Sequence, residues 1–127
     1  MRVNGIILLN PYELECVKKA IVYLEKHYQD NISADQLALE VNIDIKKLQA
    51  GFKRLKGLTV HNYQIRFRLD RGRDDLSNFA LSIRFIAARH GFSSSSHFGD
   101  LFKKDMGFPP KEYRRQLLIA DARSTND

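Results

Sequence analysis

Apolar residues recur at intervals of three and four along most of this chain, which is the spacing of one face of an α-helix. In residues 13–29 a first helix is indicated by the apolar positions Leu14, Val17, Ile21, Leu24 and Tyr28. The same spacing predicts helices that begin near Ser33, Asp44 and Thr59, which are residue types that cap helix starts. Gly57 is expected to end the third helix, because glycine tolerates the left-handed backbone found there.

The later helices follow the same rule. The third helix carries the apolar stripe Ile45, Leu48, Phe52 and Leu55, and the fourth extends towards Leu76. Three more helices are expected to begin at Ser82, in the serine run 93–96, and at Pro109-Pro110, since proline is tolerated in a first helical turn. Residues 119–127 are expected to be frayed. Strand-like alternation is weak and confined to the N-terminus.

The second half of the chain repeats a motif of the first half. Leu37-Ala38, Phe52-Lys53-Arg54 and Gly57 are matched by Ile86-Ala87, Phe102-Lys103-Lys104 and Gly107. The offset is 49 residues between Leu37 and Ile86, and 50 between Phe52 and Phe102. Each copy consists of a short helix, a turn and a second helix that ends in positive charge, which is the layout of a helix-turn-helix unit.

This repeat predicts an all-α fold of about seven helices, with two helix-turn-helix subdomains joined by a long linker helix. The first subdomain is expected in residues 13–57, the linker helix in 58–77 and the second subdomain in 78–118. Residues 1–12 are expected to be an N-terminal extension or the remnant of a linker, and 119–127 a frayed tail. The second helix of each subdomain is then the candidate for insertion into a DNA major groove.

The charge distribution supports a polyanionic partner. The chain of 127 residues has a formal net charge of +6, and its isoelectric point is about 9.6. Between Lys46 and Arg73 there are nine basic residues and a single acid, Asp70. Alternating charges would indicate surface salt bridges, whereas clustered positive charges indicate contacts to phosphates. Nucleic acid is therefore the expected partner.

Other classes of protein are disfavoured. A single cysteine, Cys16, excludes an internal disulfide or a thiolate zinc site, and core packing is its expected role. The four histidines, all expected at or near the surface, lack metal-ligand spacing; they are His27, His61, His90 and His97. Ser96-His97 lacks a third group, so neither catalysis nor a cofactor is expected. No stretch approaches the ~20 apolar residues of a membrane span. A cytoplasmic, nucleoid-associated protein is expected.

Specific motifs point to one family. The second half carries Ser82-Ile83, Ile86-Ala87, Gly91-Phe92-Ser93, Ser96-His97-Phe98, Phe102-Lys103-Lys104, Gly107-Phe108-Pro109-Pro110 and Tyr113-Arg114. The first half carries looser matches at Gln36-Leu37-Ala38, Leu48, Phe52-Lys53-Arg54, Gly57, Tyr63 and Arg68-Leu69. From about Ile32 to Leu117 the chain thus resembles the DNA-binding domain of the AraC/XylS family of bacterial transcription regulators. The resemblance implies a double-stranded promoter DNA partner, with two recognition helices in successive major grooves.

The resemblance also implies particular DNA contacts. Base contacts are expected from Lys46, Lys47, Gln49 and Ala50 in the first recognition helix, and from Ser95, Ser96, His97 and Asp100 in the second. Lysine can donate to guanine, glutamine can bridge adenine, and an alanine methyl group can contact thymine, whereas short serines reach little. Phosphate contacts are expected from Lys53, Arg54, Thr59, Ser93, Ser94, Lys103 and Lys104.

The sequence departs from the family pattern at three positions. Asp100 stands where an arginine is common, and near phosphate it would repel. Gly72 and Asp75 stand in the long helix where small apolar and leucine residues are usual, and a glycine inside a helix costs about 1 kcal/mol relative to alanine. We expect these two residues to loosen the link between the subdomains.

Two alternative functions remain open. A helix-turn-helix module can serve mainly for contacts to RNA polymerase or another regulator, with only weak DNA binding, and Asp100 and the serine-rich helix start favour that alternative. RNA binding is less favoured, because the chain lacks the aromatic platforms on which RNA modules stack bases.

An effector or dimerisation domain usually precedes the DNA-binding domain in this family. Only about thirty residues precede the match here, so the chain is either a fragment of a larger regulator, which we favour, or a stand-alone short member. The effector ligand, the operator and the choice between activation and repression stay open.

Overall fold

The structure, a computed structural model, describes residues 2–3 and 5–125. Its elements are β1 Arg2–Val3, β2 Ile6–Ile7, α1 Pro11–Lys26, α2 Ala34–Glu40, α3 Ile45–Lys56, α4 Val60–Asp75, α5 Ile83–Arg89, α6 Ser95–Met106 and α7 Pro110–Thr125. The two strands pair antiparallel in a short hairpin, which accounts for the weak strand signal at the N-terminus. Within the described residues there are seven helices, so the predicted all-α architecture is confirmed.

Polar side chains cap the helices where the sequence predicts. The Ser33 hydroxyl accepts a hydrogen bond from the Gln36 backbone N–H at 3.1 Å, and the Gln36 side chain accepts one from the Ser33 N–H at 2.9 Å. Asp44 caps α3 and Ser82 caps α5. Each cap satisfies backbone donors that have no partner inside the first helical turn. These polar residues therefore fix the helix boundaries.

Two helices begin slightly away from the expected residue. α1 begins at Pro11 and not at Glu13, because Asn10 and Glu13 form a reciprocal capping box one turn earlier. Thr59 lies just before α4, where its hydroxyl accepts from the Asn62 N–H at 3.1 Å and so acts as a cap. In both cases the start of the helix follows from the partner of the capping side chain.

The chain divides into two compact units, Met1–Phe67 and Arg68–Asp127, here called the first unit and the second unit. The sequence predicts a separate linker helix in residues 58–77. The boundary between the two units falls inside α4. Val60 belongs to the core of the first unit, whereas Leu69 and Leu76 are buried in the portion assigned to the second unit. The two halves of α4 thus contribute to different cores.

Four helices build the core of the first unit. Its buried members are Val17, Ala20, Ile21, Leu24, Leu37, Ala38, Leu48, Phe52 and Val60. Cys16 is also buried, which confirms its predicted packing role. The prediction for Leu55 is wrong, because this side chain is 39% exposed. Leu55 lies in the last turn of α3, close to the Gly57 that ends the helix, and is outside the core cluster.

Gly51 marks a close approach of α1 and α3. A β-carbon at this position would clash with both γ-carbons of the Val17 side chain. Alanine gains about 1 kcal/mol over glycine in a helix, but overpacking costs about 1–3 kcal/mol and more in a rigid site. We expect Gly51→Ala to lower the free energy of unfolding by about 1–2 kcal/mol, measured by urea denaturation.

Gly99 on α6 supplies the matched control for this substitution. A β-carbon there would meet nothing within 4 Å, so Gly99→Ala should keep the helix-propensity gain without a clash. If both alanine variants were stabilised to a similar extent, the close α1–α3 packing at Gly51 would be contradicted.

Aromatic rings form much of the core of the second unit, together with buried aliphatic residues such as Leu76 and Ile86. Phe98 lies 4.9 Å from Phe92 and 5.7 Å from Phe102, and Phe102 lies 5.6 Å from Tyr113, all measured between ring centroids. Phe98 is completely buried. Edge-to-face and tilted contacts at these distances stabilise a core beyond the burial of apolar area alone.

Gly72 is part of this packing within the second unit, and the expectation that it loosens the link between the subdomains stays a prediction. A β-carbon at Gly72 would lie 2.9 Å from Phe98 Cε1 and 3.1 Å from Phe98 Cζ. The absence of a side chain therefore allows the Phe98 ring to pack against the backbone of α4. The cost in helix propensity is offset by aromatic packing.

Asp75 also tightens the second unit. Its Oδ2 atom lies 2.6 Å from His90 Nε2 and 3.4 Å from Arg89 Nη1. The prediction of a surface or boundary histidine is wrong for His90, which is only 5% exposed. A buried imidazole requires a hydrogen-bond partner, and Asp75 supplies one across the space between α4 and α5. The expectation that Asp75 loosens the link between the subdomains stays a prediction, because these contacts lie within the second unit.

The C-terminal helix extends further than expected. α7 continues to Thr125, so residues 119–125, which were expected to be frayed, are assigned to the helix. The interval contains good helix formers and neither glycine nor proline. Near its start, the Arg114 guanidinium donates to the carbonyl oxygens of Leu76 and Asn78 at 3.1 and 3.2 Å. The expectation for residues 126–127 lies outside the described residues.

Candidate nucleic-acid interface

The two helix pairs have matching dimensions. α2 and α5 each have seven residues, and α3 and α6 each have twelve. The intervening turn covers residues 41–44 in the first pair and 90–94 in the second. The second turn is thus longer by a single residue, which explains why the repeat offset rises from 49 to 50 along the chain.

The two turns also share their backbone geometry. Asn42 has a φ of 55°, and Gly91, its counterpart at an offset of 49, has a φ of 89°. The Ile43 N–H donates to the Ala38 carbonyl at 3.0 Å, and the Phe92 N–H donates to the Ala87 carbonyl at the same distance. A left-handed residue followed by this hydrogen bond redirects the chain from one helix into the next. Both pairs are therefore helix-turn-helix units.

The outer side of α3 collects most of the predicted contact residues of the first unit. A groove of about 690 Å³ is lined by Ile7, Ile45, Lys46, Gln49, Ala50, Lys53 and Thr59. Lys46, Lys53 and Thr59 are exposed, as is Arg54, which is not among the lining residues. The structure thus brings predicted base-contacting and phosphate-contacting residues of the first unit to one surface.

Ile7 is a groove residue that sequence reasoning did not select. It lies in β2, within the apolar run 5–9 that was interpreted only as part of an N-terminal extension. The weak strand signal contained the relevant information, because a hairpin can fold back onto a neighbouring helix. No spacing rule connects residue 7 to a helix that begins at Ile45.

Gln49 holds a contact within the protein. Its Oε1 atom accepts a hydrogen bond from the Val60 backbone N–H at 3.2 Å. The side chain therefore satisfies a backbone donor at the start of α4, in the manner of a helix cap. Base contacts by Gln49 can use its amide N–H groups while this hydrogen bond is kept.

Lys47 is held by a carboxylate of α1. Its ammonium pairs with Glu13, whose side chain is mostly buried. The Asn10 backbone N–H and the Lys47 ammonium hold the pKa of Glu13 below its usual value. The resulting stabilisation is present at neutral pH and is lost as the pH falls through that lowered pKa. Lys47, predicted to contact bases, is thus engaged away from the groove.

Most of the predicted contact residues of the second unit lie around the start of α6, and Lys103 and Lys104 lie in its last turn. The Ser94 hydroxyl accepts from the His97 N–H at 3.0 Å and caps the helix. A recess of about 370 Å³ is lined by Arg84, Ala88, Phe92, Ser93, Ser94 and Ser95. Ser96, His97, Asp100, Lys103 and Lys104 are exposed along the same helix. Free N–H groups and hydroxyls at a helix start attract anions.

Arg84 is a residue of this recess that sequence reasoning did not select. It lies on α5, exposed, and lines the recess together with Ser93, Ser94 and Ser95. The repeat offset of 49 places Asp35 at the corresponding position of the first unit. The difference in charge between these two positions was the available signal, which the shared residues of the repeat do not reveal.

Among the described residues, no group of three or more His, Cys, Asp or Glu side chains converges in a way that would hold a metal ion. The helices of the described chain all lack an apolar segment of the length needed to span a membrane.

Comparison with known proteins also indicates a helix-turn-helix domain. A family described as a helix-turn-helix domain matches residues 37–116. The HTH-type transcriptional activator RhaS of Escherichia coli is 33% identical over 95 residues, which cover 75% of this chain and 34% of that protein. The chain thus spans about a third of the length of the curated relatives that it matches.

Solved structures agree with the fold. A transcriptional regulator of Chromobacterium violaceum, described as an AraC-type DNA-binding domain-containing protein, superposes with a TM-score of 0.74 at 28% identity, over 85% of this chain and 96% of that one. The DNA-binding domain of AdpA, solved in complex with a target DNA, shares the fold with a TM-score of 0.73 at 20% identity, over 79% of this chain and 90% of that one.

The fold and the similarity to known proteins together define the class of this protein, a DNA-binding protein with two helix-turn-helix units. The chain belongs to the AraC-type family of helix-turn-helix transcription regulators. The resemblance stated from the sequence is therefore confirmed. Members of this family are DNA-binding regulators and not enzymes.

Proposed function

We propose that this chain is a sequence-specific DNA-binding domain that inserts α3 and α6 into successive major grooves of a promoter. The observation that carries the proposal is the outer side of α3, where exposed lysines surround a groove that an apolar residue of the β-hairpin helps to line. A major groove admits an α-helix, and successive grooves on one face of DNA are about 34 Å apart. The complex of AdpA with a target DNA supports this use of the fold.

In the first unit we assign base contacts to Lys46, Gln49 and Ala50. Lys46 can donate to guanine, the Gln49 amide can donate to an acceptor on a base edge, and the Ala50 methyl group can contact a thymine methyl group. Phosphate contacts are assigned to Lys53, Arg54 and Thr59, which are exposed at the end of α3 and just beyond it. Lys47 is left out, because Glu13 holds it.

In the second unit the assignments rest on shorter side chains. Base contacts are proposed for Ser95, Ser96, His97 and Asp100, and phosphate contacts for Ser93, Ser94, Lys103 and Lys104. Short hydroxyls reach base edges mainly through water, and Asp100 repels phosphate unless it accepts from a cytosine amino group. We therefore propose that α3 supplies most of the discrimination between sequences.

Replacement of Lys46 tests this division of roles. Lys46→Ala should reduce discrimination in one half of the binding site by about 1–3 kcal/mol. The measurement is a fluorescence-anisotropy titration against a selected site and a scrambled duplex at three salt concentrations. Ser95→Ala serves as the comparison and should have a smaller effect. If Lys46→Ala weakened binding to both duplexes equally, Lys46 would be a phosphate contact and its assignment to base contacts would fail.

A second function, contact with RNA polymerase or another regulator, is favoured by two observations in the second unit. Phe79 and Phe85 are 41% and 52% exposed, and Asp100 is exposed on α6. The same titrations separate the two functions. Affinity that falls steeply with salt indicates several phosphate contacts, whereas no binding at low salt would favour the protein partner. As part of the proposed DNA-binding function, we place the protein in the cytoplasm, associated with the nucleoid.

A further inference from the structure

Lys47 differs from the other basic residues of α3. Its Nζ pairs with Glu13 Oε2, and the lysine side chain is 33% exposed while that of Glu13 is 12% exposed. Lys46, one residue earlier, is exposed and lines the groove, whereas Lys47 is absent from the groove lining. Two adjacent lysines of one helix are therefore held in different environments, one facing the proposed DNA surface and one facing α1.

Glu13 uses both of its carboxylate oxygens. Oε1 accepts a hydrogen bond from the Asn10 backbone N–H at 2.9 Å, and Oε2 pairs with Lys47. A carboxylate that is mostly removed from water depends on such partners. If Lys47 moved to a DNA phosphate, Oε2 would lose its cation while remaining inside the protein. The carboxylate therefore opposes any movement of Lys47 towards DNA.

We propose that Glu13 withholds Lys47 from DNA and so determines which lysine of α3 contacts the major groove. The inference rests on the proposed function of α3 as a recognition helix. Glu13 would be a specificity-determining residue that touches no DNA. By removing one cation from the contact surface, it lowers affinity for any phosphate backbone while Lys46 continues to contact bases.

Glu13→Gln is the variant that releases Lys47. A glutamine oxygen can still accept from the Asn10 N–H, so the cap of α1 is retained, but the negative charge that holds Lys47 is gone. One additional phosphate contact should steepen the slope of log K against log salt for random-sequence duplex by about 0.9. Non-specific affinity at 0.1 M salt should rise by up to roughly eightfold, which is that slope over one decade of salt.

Glu15→Gln is the matched control. Glu15 lies on the same helix and carries the same charge, but its partner is the exposed Lys18, 3.2 Å away. If the change in slope came only from net charge, both variants would show it. The double variant Glu13→Gln/Lys47→Met should return the slope to the wild-type value, because the released lysine is then absent.

Lys47→Met in the wild-type background provides the opposite test. It should leave the salt slope unchanged, because the wild-type ammonium makes no DNA contact. Since this variant leaves the Glu13 carboxylate without its cation, thermal denaturation must show that it is folded. If Lys47→Met is unfolded, the salt slopes of Glu13→Gln and of the double variant are compared in its place. Neither of these two proteins contains an unpaired carboxylate at position 13.

The outcomes distinguish this inference from the proposed function. If the wild-type chain showed no salt-dependent binding to duplex DNA, the proposed function itself would fail. If the wild type bound and Lys47→Met reduced the slope by about 0.9, Lys47 would contact DNA and only the role of Glu13 would be overturned. An unchanged slope in Glu13→Gln, or an equal change in Glu15→Gln, would overturn it as well.

Discussion

Replacement of Phe98 by alanine is expected to unfold the second unit. The ring is completely buried, lies among Phe92 and Phe102, and fills the space left by the missing side chain of Gly72. Truncation of a buried phenylalanine costs about 3–5 kcal/mol. The hydrophobic core of a unit of about sixty residues rarely supplies more than about 3–5 kcal/mol of stability. The expected loss is therefore comparable to the whole free energy of unfolding of the unit.

Hydrogen exchange of backbone amides, followed by NMR, is the measurement that resolves this effect along the chain. Amides of α5 and α6 should lose protection in Phe98→Ala, whereas those of α1 and α3 should keep it, because their core contains other residues. Phe85→Ala is the matched control, since Phe85 lies on α5 and is 52% exposed. Retained protection of α6 in Phe98→Ala, or an equal loss in the control, would contradict the proposed importance of the ring cluster.

The sequence predicted the helices well because their boundaries are local. Ser33, Asp44 and Ser82 cap helices through hydrogen bonds to residues two or three positions away, so the necessary information lies within one turn. Gly57 likewise ends α3 in the left-handed conformation. The repeat then paired the helices correctly, because each copy carries its own apolar stripe.

Contacts between distant helices were not predictable in the same way. From the sequence, Gly72 and Asp75 were expected only to loosen the link between the subdomains. Their roles depend on Phe98 and His90, which lie far along the chain and approach only in the folded unit. Propensity describes the cost of a residue in isolation, whereas the partner supplied by the fold decides whether that cost is offset.

In the candidate site, too, features local to one helix were predictable from the sequence and contacts between helices were not. The exposed cations of α3 and α6 follow from helical spacing, and the assignment of Lys46 and Lys53 to DNA contacts stays a prediction. The ion pair of Lys47 with Glu13 joins residues of two helices, and no pattern within α3 distinguishes Lys47 from Lys46. Arg84 joins the serines of the recess only because α5 packs beside the start of α6.

Simultaneous replacement of Lys53 and Arg54 by alanine is expected to produce the largest loss of DNA affinity among these variants. Both residues are exposed in the last turns of α3. Each phosphate contact contributes about 0.9 to the slope of log K against log salt. Two contacts therefore raise the affinity by roughly 60-fold when the salt concentration falls from 1 M to 0.1 M. We expect the slope to fall by about 1.8 and the affinity for random duplex at 0.1 M salt to fall by roughly that factor.

The decisive comparison uses a pair of lysines from another helix. Lys18→Ala/Lys19→Ala removes the same charge from exposed positions of α1, where no phosphate contact is proposed. Net charge alone acts at long range and is screened over about 10 Å at 0.1 M salt, so this pair should change the slope little. Equal effects of the two double variants would mean that diffuse attraction, and not the end of α3, holds the DNA. A selective effect of Lys53 and Arg54 would locate the phosphate backbone beside α3, as insertion of that helix into the major groove requires.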